Sequence, residues 1–368
     1  MPRADIVIES PIVQSFRVKS VCGMFDVPDQ KAVRHEWHVN IPCEERDWKI
    51  GLITGPSGSG KTTIGRRLFA DAYYHEHYEW PDEQAIVDGF PANVDTKDVV
   101  QALSSVGFSS PMHWIKRFSH LSNGQKFRAE LARLMLEDKD TVIMDEFTSV
   151  VDRQVAQIGS AAISKAIRHR QRPRLIALSC HYDIAEWLNP DWTYDLLTGE
   201  FQWRDLRRHP NIELKIHKAD KRSWDLFKGH HYLSADISAG AQMFVATHNG
   251  NPVAFTSYIH FVHPKATRMK RGHRTVVLPD YQGIGIGNRV SEWMGEYVRS
   301  QGFRFSSTTS HPSMIAHRMK SLKWKKLRIG HVSTDITRSP VRRNAKNTSV
   351  NRLTASFEYV GSPCNQRR

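Results

Sequence analysis

Hydrophobic residues in the first 200 positions are concentrated in short, nearly continuous runs. Three such runs, at residues 48–54, 141–144 and 175–179, predict strands that are buried on both faces. Nearer the start, residues 15–21 and 35–41 alternate between apolar and polar positions, which predicts strands with one exposed face. Short buried strands separated by helical stretches indicate a largely parallel α/β sheet.

The pattern changes near residue 198, where a polar, turn-rich stretch extends to residue 210. Alternation over 212–216 then predicts a strand, and a helical pattern follows over 221–233. The runs at 242–248 and 252–261 predict two paired strands, because Asn249-Gly250-Asn251 between them is a hairpin signal.

A further strand is predicted at residues 274–278, followed by a glycine-rich loop. The next segment carries apolar residues on one helical face, namely Ile286, Val290, Trp293, Met294 and Tyr297. Gly302 ends this amphipathic helix, and residues 303–309 predict the next strand. The second half of the chain is therefore also expected to be a mixed α/β fold.

The length of 368 residues favours two domains, and 40% hydrophobic content is enough for two cores. We expect a first domain at 1–205 and a second at 206–368. No apolar stretch approaches the roughly 18 to 20 residues of a membrane span, and no apolar signal region follows the N-terminus. This favours a cytoplasmic protein with no membrane partner. The four cysteines form no C-x-x-C pair, so reduced thiols are expected rather than a metal site.

Charge is distributed unevenly between the two halves. Residues 1–200 have a net charge of −5, whereas residues 201–368 hold 29 Lys and Arg against 10 Asp and Glu, a net charge of +19. A solvated basic surface is one explanation. An excess confined to one half favours a polyanionic partner, which for such a protein is most often nucleic acid.

A phosphate-binding loop is predicted directly after the strand at 48–54. The segment fits the pattern G-x-x-x-x-G-K-[ST], with a strand before it and a helix after it. Its backbone N–H groups and Lys61 would hold the phosphates of ATP, and the Thr62 hydroxyl would bind Mg²⁺. The predicted ATP-binding residues are Gly55, Pro56, Ser57, Gly58, Ser59, Gly60, Lys61, Thr62 and Thr63.

Two acidic residues end the buried strand at 141–144. In this Walker B arrangement Asp145 serves the Mg²⁺ shell, and Glu146 polarises the attacking water. An acidic pair after a strand is weak support when taken alone. It gains weight from a segment about 20 residues upstream that opens an amphipathic helix, made of Leu121, Ser122, Asn123, Gly124 and Gln125.

This segment resembles the LSGGQ signature of the ABC ATPases, and the resemblance extends along the first half. It implies that Asp152 lies in the D-loop, that His181 is the switch histidine contacting the γ-phosphate, and that Phe25 stacks on adenine. A predicted strand at 85–87 leads to Asp88 where the family has a glutamine, and Asp88 is a further candidate Mg²⁺ ligand through water. In this family the signature of one subunit completes the ATP site of another, which implies an ATP-dependent head-to-tail homodimer.

A second glycine-rich loop lies between the strand at 274–278 and the amphipathic helix. It resembles the acyl-CoA loop Q-x-x-G-x-G of the GNAT acetyltransferases; a Rossmann dinucleotide loop and a structural glycine turn are the alternatives. The resemblance implies that strand backbone holds the thioester carbonyl and that the loop holds the pyrophosphate of acetyl-CoA or another acyl-CoA. The residues implied are Val276, Val277, Leu278, Gln282, Gly283, Ile284, Gly285, Ile286, Gly287 and Asn288.

Two histidines are candidates for the base that deprotonates the attacking amine. His273 precedes the strand at 274–278, and His311 follows the strand at 303–309. Each is equally open to an ordinary polar role. The family often supplies a tyrosine acid in a Y-x-x-x-G-F stretch, but Met319 occupies that place, so another residue or water must protonate the leaving thiolate.

Basic residues with an interleaved tryptophan follow His311. This composition suits phosphate contacts combined with base stacking, although a basic solvated helix is the alternative. The candidate nucleic-acid contacts are Lys320, Lys323, Trp324, Lys325, Lys326 and Arg328.

The sequence thus predicts an ABC-type P-loop ATPase followed by a GNAT-like mixed α/β acyltransferase. The leading hypothesis is ATP-dependent acyl transfer to nucleic acid, with a DNA base amine favoured over RNA, in a prokaryotic or phage-infected cytoplasm. A weaker resemblance to phage Mom-type DNA-modification proteins points the same way. The rivals are an acetyltransferase of protein or small-molecule amines regulated by the ATPase, and an SMC-like nucleic-acid-binding ATPase with a non-catalytic GNAT module.

Overall fold

The structure is a computed structural model that describes residues 3–25, 27–28, 31–204, 210–231, 236–261, 267–331 and 353–362. It divides into two compact units. The first comprises Met1–His77, Glu137–Ser149 and Ile167–Arg208, and the second comprises Tyr78–Leu136, Val150–Ala166 and His209–Arg368. The second unit therefore includes two segments of the predicted ATPase half as well as the predicted acyltransferase half.

Fifteen strands occur in the described residues. In chain order they are β1 (Arg3–Pro11), β2 (Ala32–Asn40), β3 (Ile50–Thr54), β4 (Tyr73–His75), β5 (Thr141–Met144), β6 (Arg174–Ser179), β7 (Trp192–Asp195), β8 (Glu200–Trp203), β9 (Lys215–Ala219), β10 (Gln242–His248), β11 (Asn251–His260), β12 (Met269–Val277), β13 (Arg304–Thr309), β14 (Trp324–His331) and β15 (Leu353–Tyr359).

Ten α-helices accompany these strands within the described ranges. They are α1 (Phe16–Phe25), α2 (Lys61–Leu68), α3 (Thr96–Ser105), α4 (Pro111–Trp114), α5 (Asn123–Leu134), α6 (Arg153–Arg168), α7 (Ala185–Leu188), α8 (Trp224–Phe227), α9 (Ile286–Ser300) and α10 (Pro312–Lys320). In this part of the chain, no helix combines the length and the apolar character that crossing a membrane requires.

Two sheets build the first unit. One is the antiparallel pair β1–β2, and the other has the strand order β4-β5-β6-β3-β7-β8. All pairs in the larger sheet are parallel except β7–β8. Every residue of β3 is buried, as expected for an apolar strand covered on both faces. The predictions for residues 48–54, 141–144 and 175–179 are confirmed by β3, β5 and β6.

The core of the first unit joins its two sheets. Ile6 of β1 and Val39 of β2 pack into the same cluster as Ile53 of β3 and Trp192 of β7. Trp192 is fully buried, and its indole lies where a side chain at Gly51 would stand. This close approach explains why glycine interrupts an otherwise apolar strand.

A seven-stranded mixed sheet dominates the second unit, in the order β14-β15-β13-β12-β11-β10-β9. Only the pair β12–β13 is parallel. The hairpin between β10 and β11 is confirmed: Asn249 and Gly250 have φ of 49° and 82°, which a two-residue turn requires at both positions.

Helix α9 packs its apolar face on this sheet, as its periodicity predicts. Val290, Met294 and Val298 are buried, and Met294 and Val298 share a core cluster with Phe305 and Tyr359. Gly302, at φ 78°, follows the end of the helix in a left-handed conformation that glycine adopts without strain. The same helix carries the glycine loop at its N-terminus, so this packing fixes the position of the candidate acyl-CoA loop.

Several predicted elements are wrong. Residues 15–21 belong to helix α1, which buries none of its residues, so no core selects a strand there. Residues 85–87 lie in or next to a 3₁₀ helix, Ile86–Gly89, rather than in a strand. The strand predicted at 212–216 begins at Lys215. Of the helical pattern at 221–233, the structure describes residues 221–231, and these form the short helix α8 and a 3₁₀ turn.

Candidate functional site

The first glycine loop joins β3 to α2 in the first unit. Gly58 and Gly60 have φ of 76° and 95°, a region that glycine enters without strain, and Gly60 directly precedes the helix. The Lys61 ammonium donates to the carbonyls of Gly55 and Pro56 at 2.9 and 2.7 Å. Backbone N–H groups and one fixed positive charge therefore converge at a helix N-terminus, which suits a polyphosphate.

Thr62 and Asp145 meet directly beside this loop. The Thr62 hydroxyl donates to the Asp145 carboxylate at 2.6 Å, and Asp145 is buried at the end of β5. Hydroxyl and carboxylate oxygens are the donors that Mg²⁺ prefers, so the pair fits this ion. Tyr74 of β4 also donates its phenol to Asp145, a contact that the sequence did not predict. Burial and this hydrogen bond raise the pKa of Tyr74, which keeps it protonated as a donor.

The backbone after Asp145 is held in an unusual conformation. Glu146 and Thr148 have φ of 45° and 73°, in the left-handed region that residues other than glycine rarely enter. The Glu146 N–H donates to Asp145 at 2.8 Å, and the Ser149 hydroxyl donates to the Glu146 carboxylate at 3.4 Å. The strained turn leaves the Glu146 side chain exposed, as a carboxylate that polarises water must be.

His181 follows β6 in the same unit. Its backbone N–H donates to the Ser179 hydroxyl at 3.1 Å, and Ser179 donates in turn to the carbonyl of Phe147 at 3.0 Å. A chain of two hydrogen bonds therefore ties the segment that bears His181 to the turn that bears Glu146.

The predicted adenine-stacking residue, Phe25, lies at the C-terminal end of α1 with 74% of its surface exposed. Trp37 of β2 is the aromatic residue in contact with the phosphate loop. Its indole N–H donates to the Ser59 carbonyl at 3.1 Å, and its ring packs against Gly60. Nothing in an alternating strand marks which side chain reaches a distant loop, so this contact of Trp37 is not predictable from the sequence.

The signature-like segment lies in the second unit, where it begins α5. The Ser122 hydroxyl accepts from the Gln125 N–H at 3.4 Å while the Gln125 side chain accepts from the Ser122 N–H at 3.2 Å, a reciprocal helix cap. Leu121 is buried below this cap, and Ser122 and Asn123 are exposed. Asp152 caps α6 by accepting from the Val155 N–H at 3.0 Å.

Asp88 is also in the second unit, exposed in the 3₁₀ helix. The structure offers no further donor set around it: no group of three His, Cys, Asp or Glu side chains suited to a metal occurs among the described residues.

The second glycine loop lies where β12 and β13 separate. These strands pair only over Met269–Arg271 and Arg304–Ser306, although in the described residues β12 continues to Val277 and β13 to Thr309. Beyond the pairing, the edge of β12 that faces away from β11 offers backbone donors and acceptors in an opening between the strands. Val276 and Val277, with Leu278 beyond them, lie at this end, as the resemblance implies for a thioester-binding strand.

The loop itself is shaped by two left-handed glycines. Gly283 and Gly285 have φ of 94° and 99°, and Gly285 precedes α9 without any side chain capping the helix. Gln282 folds back so that its amide donates to the Val277 carbonyl at 2.8 Å. Ile284 and Gly285 lead into the first turn of α9, which comprises Ile286, Gly287 and Asn288. The N-cap residue Gly285 has no side chain to occupy the N–H groups of this turn.

The two candidate bases differ in what their rings contact. His273 Nε2 accepts from the Ser238 N–H at 3.1 Å, which occupies the lone pair that a base needs, so His273 is unsuited to this role. Burial and the neighbouring Arg274 and Arg271 lower its pKa to about 4. His311 begins α10, shares a hydrogen bond of 2.9 Å with Ser313, and has its pKa lowered to about 4 by burial alone. His311 is therefore neutral at physiological pH, and in the tautomer whose Nδ1–H donates to Ser313 its Nε2 is left to accept a proton.

The predicted nucleic-acid contacts require correction. Trp324 is 6% exposed and packs against Phe305 and Tyr359, with the Arg318 guanidinium 4.3 Å from its ring, so it is a core residue that cannot stack on a base. Residues 317–328 form the end of α10 and the start of the edge strand β14 rather than one helix.

The basic side chains themselves fall into two groups. The Lys323 ammonium lies 3.0 and 3.7 Å from the carboxylates of Glu292 and Glu296, so it forms ion pairs within the second unit. The other four basic residues among the predicted nucleic-acid contacts are exposed, namely Lys320, Lys325, Lys326 and Arg328.

Comparison with known proteins assigns the two halves separately. The acetyltransferase (GNAT) family model matches residues 181–320. The N-terminal half matches the aliphatic sulfonates import ATP-binding protein SsuB 1 of Paracoccus denitrificans, at 27% identity over 48% of this chain and 76% of that protein. It also matches the tylosin resistance ATP-binding protein TlrC of Streptomyces fradiae, at 28% identity over 37% of this chain, and the cytochrome c biogenesis ATP-binding export protein CcmA of Pseudomonas aeruginosa, at 36% over 27%.

The chain spans 29% of the length of the TlrC protein and 46% of the CcmA protein, less than half of each. These matches cover the half of the chain that contains the phosphate loop and the Walker B strand. The chain thus joins a region homologous to ABC ATP-binding proteins to a GNAT acetyltransferase domain.

Proposed function

We propose that this chain is an ATP-dependent N-acyltransferase in which an ABC-type ATPase serves a domain that uses acetyl-CoA or another acyl-CoA. One observation carries the proposal: β12 and β13 separate, and the uncapped glycine loop before α9 lies at the open end. Strand backbone can hold a carbonyl there, and helix N–H groups can hold a pyrophosphate. The ATPase part of the proposal is supported by the homology of the first half to ABC ATP-binding proteins.

On the ATP side, Lys61 and the loop N–H groups would hold the phosphates, and Thr62 with Asp145 would hold Mg²⁺, which neutralises charge on the phosphate oxygens. Glu146, exposed on its strained turn, would orient the attacking water, and His181 would contact the γ-phosphate. Trp37 or Phe25 would stack on adenine. Ser122 would complete the site of a second copy, because Ser122 and Asn123 are exposed at the N-terminus of α5.

On the acyl side, His311 would accept the proton of the attacking amine. With Nδ1–H donating to Ser313 its Nε2 could accept this proton, and it stands two residues after the end of β13, directly before α10. The Met319 position offers no hydroxyl, so the leaving thiolate would take its proton from water.

The favoured acceptor is an amine of nucleic acid, with a DNA base preferred. The net charge of +19 over residues 201–368 supports this, as do four exposed cations on the end of α10 and on β14. An amine of a protein or small molecule is the second candidate, favoured by the burial of Trp324 and by the pairing of Lys323 with Glu292. A flipped base needs an aromatic partner or a pocket, and Trp324 does not provide one.

Nucleoside mass spectrometry would test the proposal. Nucleic acid from cells expressing the wild type is expected to contain an acylated nucleoside that is missing with Gly285→Glu, which places a carboxylate in the acyl-CoA loop. In parallel, Lys320, Lys325, Lys326 and Arg328 would be changed together to Ala, with Arg17, Lys19, Arg67 and Lys139 of the first unit changed as a charge-matched control.

For wild-type binding to duplex DNA we expect the logarithm of affinity to fall with that of salt at a slope near −4 to −5, since each neutralised phosphate contributes about −0.9. The first set should flatten the slope by about two to three, and the control set should leave it unchanged. Acylated protein or small-molecule product without any acylated nucleoside would establish the second candidate instead.

A further inference from the structure

The candidate acyl-CoA loop contacts the helix that carries the ATPase signature, within the second unit. Arg128 of α5 donates to three backbone carbonyls: Val106 at 2.6 Å, Gln282 at 3.2 Å and Asp280 at 3.1 Å. The last two belong to the acyl-CoA loop and its lead-in. One side chain of the ATPase half therefore holds the backbone of the acyltransferase loop.

Arg128 is buried to an unusual degree for a charged side chain. It is 3% exposed, and its burial lowers the pKa to about 10. Desolvating a guanidinium costs several kcal/mol, and here backbone carbonyls offset that cost. A well-packed apolar residue at this position would stabilise the fold at least as well. Stability alone therefore does not explain an arginine that donates to carbonyls of both the ATPase half and the acyltransferase half.

A second ATPase helix lies on the same loop. The Tyr281 hydroxyl shares a hydrogen bond with the Gln154 side chain in the first turn of α6, directly after Asp152. A Cβ at Gly283 would stand 2.8 Å from the Ala162 side chain, so loop and helix are in close backbone contact there. The signature helix and the D-loop helix thus both contact the acyl-CoA loop.

These two helices also pack against each other through glycine. A Cβ at Gly124 would stand 3.2 Å from Val155, and one at Gly159 would stand 2.6 Å from Phe127. Close-packed interfaces of this kind transmit displacement rather than absorb it. Ser122 precedes Arg128 by six positions, which is about 9 Å and about 1.7 turns along the helix, so a displacement at the signature would also move Arg128.

We propose that Arg128 couples the signature helix to the acyl-CoA loop, so that ATP and acyl-CoA each change the affinity of the protein for the other. The inference rests on the proposed function, because it needs ATP at a site that includes the signature and acyl-CoA at the loop. Arg128 acts as a positioning residue: its guanidinium fixes the carbonyls of Asp280 and Gln282, and these set where the loop N–H groups point.

Calorimetric titration of acetyl-CoA into the full-length Glu146→Gln protein, with and without saturating Mg-ATP, measures the coupling. We expect the acetyl-CoA affinity to change by about tenfold, within the usual range for coupled sites. Titrating ATP with and without acetyl-CoA must then give the same factor, because linkage is reciprocal. Equal acetyl-CoA affinities in the two conditions would overturn the coupling and leave the proposed function standing. If acetyl-CoA binds in neither condition, the proposed function fails with it.

Variants then assign the coupling to Arg128. Arg128→Lys keeps the charge, but a single ammonium cannot bridge Val106 and both loop carbonyls, so the factor should fall to about twofold or less. Arg133→Lys is the matched control, because Arg133 lies on the same helix and contacts Glu79, Tyr78 and Trp80 instead of the loop. Full coupling in a folded Arg128→Lys protein would overturn the assignment.

If Arg128→Lys does not fold, Gln154→Ala decides. Gln154 is exposed, so its loss leaves the core intact and removes only the contact of α6 with Tyr281. The coupling factor should fall by about half or more while the affinity for ATP alone is unchanged. An unchanged factor in this variant would exclude the Gln154 contact from the coupling. Arg128→Gln then decides, because its amide can donate to at most two of the three carbonyls, and a folded Arg128→Gln protein with the full factor would overturn the proposal.

Discussion

The two glycine loops of this chain build the same backbone shape and differ in charge. Gly60 and Gly285 each precede a helix in a left-handed conformation, at φ 95° and 99°, and neither helix start has a side-chain cap. The N–H groups of both helices are left for an anionic ligand. Two unrelated parts of the sequence thus form the same uncapped, glycine-led helix start.

Charge separates the two loops. The first contains Lys61 and adjoins the oxygens of Thr62 and Asp145, whereas residues 279–288 contain no Lys or Arg and a single acid, Asp280. Cleaving a phosphate bond requires charge that is placed for the transition state, and holding a pyrophosphate in place does not. Under the proposed function, the first loop would take part in a reaction and the second would position a cofactor whose reactive end lies elsewhere.

The largest effect should follow removal of the lysine that distinguishes the loops. Lys61→Ala is expected to lower the ATPase rate by about 10³-fold or more, because no other group in the loop replaces its charge. Acetyl-CoA binding in the absence of ATP should not change. Steady-state phosphate release and calorimetry measure the two effects. A Lys61→Ala protein with near wild-type hydrolysis would remove the distinction between the loops.

The next effect concerns the shape that the loops share. Gly285→Glu introduces a carboxylate and a left-handed non-glycine residue where a pyrophosphate would bind, so acetyl-CoA affinity should fall by about 100-fold. Space is available, since the nearest atom to the new Cβ is the Lys165 ammonium nitrogen at 3.8 Å, and the fold should therefore persist. Circular dichroism checks the fold, and ATP hydrolysis is the internal control. Unchanged acetyl-CoA binding would show that the loop is a structural turn.

Local signals account for the parts of the fold that the sequence predicted. The hairpin at Asn249-Gly250 and the strand Thr141–Met144 depend on neighbouring residues alone, and both are confirmed. The strand prediction for residues 15–21 is wrong because alternation over seven positions also fits a helix when no core selects one face. Helix α1 buries none of its residues. The 3₁₀ helix at Ile86–Gly89 is similar, since three apolar residues do not distinguish it from a strand.

The candidate sites show the same distinction between local and distant sequence signals. Both glycine loops are visible in the sequence, because their chemistry lies within about ten consecutive residues. Tyr74 reaches Asp145 across 71 positions and Arg128 reaches Gln282 across 154, and no local pattern marks either pair. The prediction that Trp324 stacks on a base is wrong for the converse reason. A tryptophan among lysines has the same sequence pattern whether its side chain points outward or, as here, into the core.

A smaller effect separates the histidines of the acyl domain from ordinary ones. Burial lowers the pKa of His273 and His311 to about 4, below the unfolded value of about 6.5. Between these values the unfolded chain binds more protons than the folded one, so stability is complete above about pH 6.5 and is lost as the pH falls toward 4. We expect each histidine to cost about 1 to 2 kcal/mol between about pH 6.5 and pH 5.

Denaturant unfolding at the two pH values measures this loss. His311→Gln and His273→Gln should each reduce the pH dependence, and His217→Gln, a change at an exposed histidine of β9, should not. A His311→Gln protein with the wild-type pH dependence would show that burial does not lower the pKa of His311 in the folded protein.

The smallest expected effect tests whether a lysine outside the acyl-CoA loop contributes positive charge to it. Lys165 of α6 is exposed and lies beside Gly285, so its ammonium could serve this loop as Lys61 serves the first. An exposed charge in water contributes only about 0.5 to 1 kcal/mol, so Lys165→Ala should weaken acetyl-CoA binding by about two- to fivefold at low salt and by less at high salt. Lys97→Ala, an exposed lysine of α3, is the control. A loss as large as that of Gly285→Glu would mean that charge rather than backbone N–H groups holds the pyrophosphate, and the contrast between the two loops would then lie only in which helix supplies the lysine.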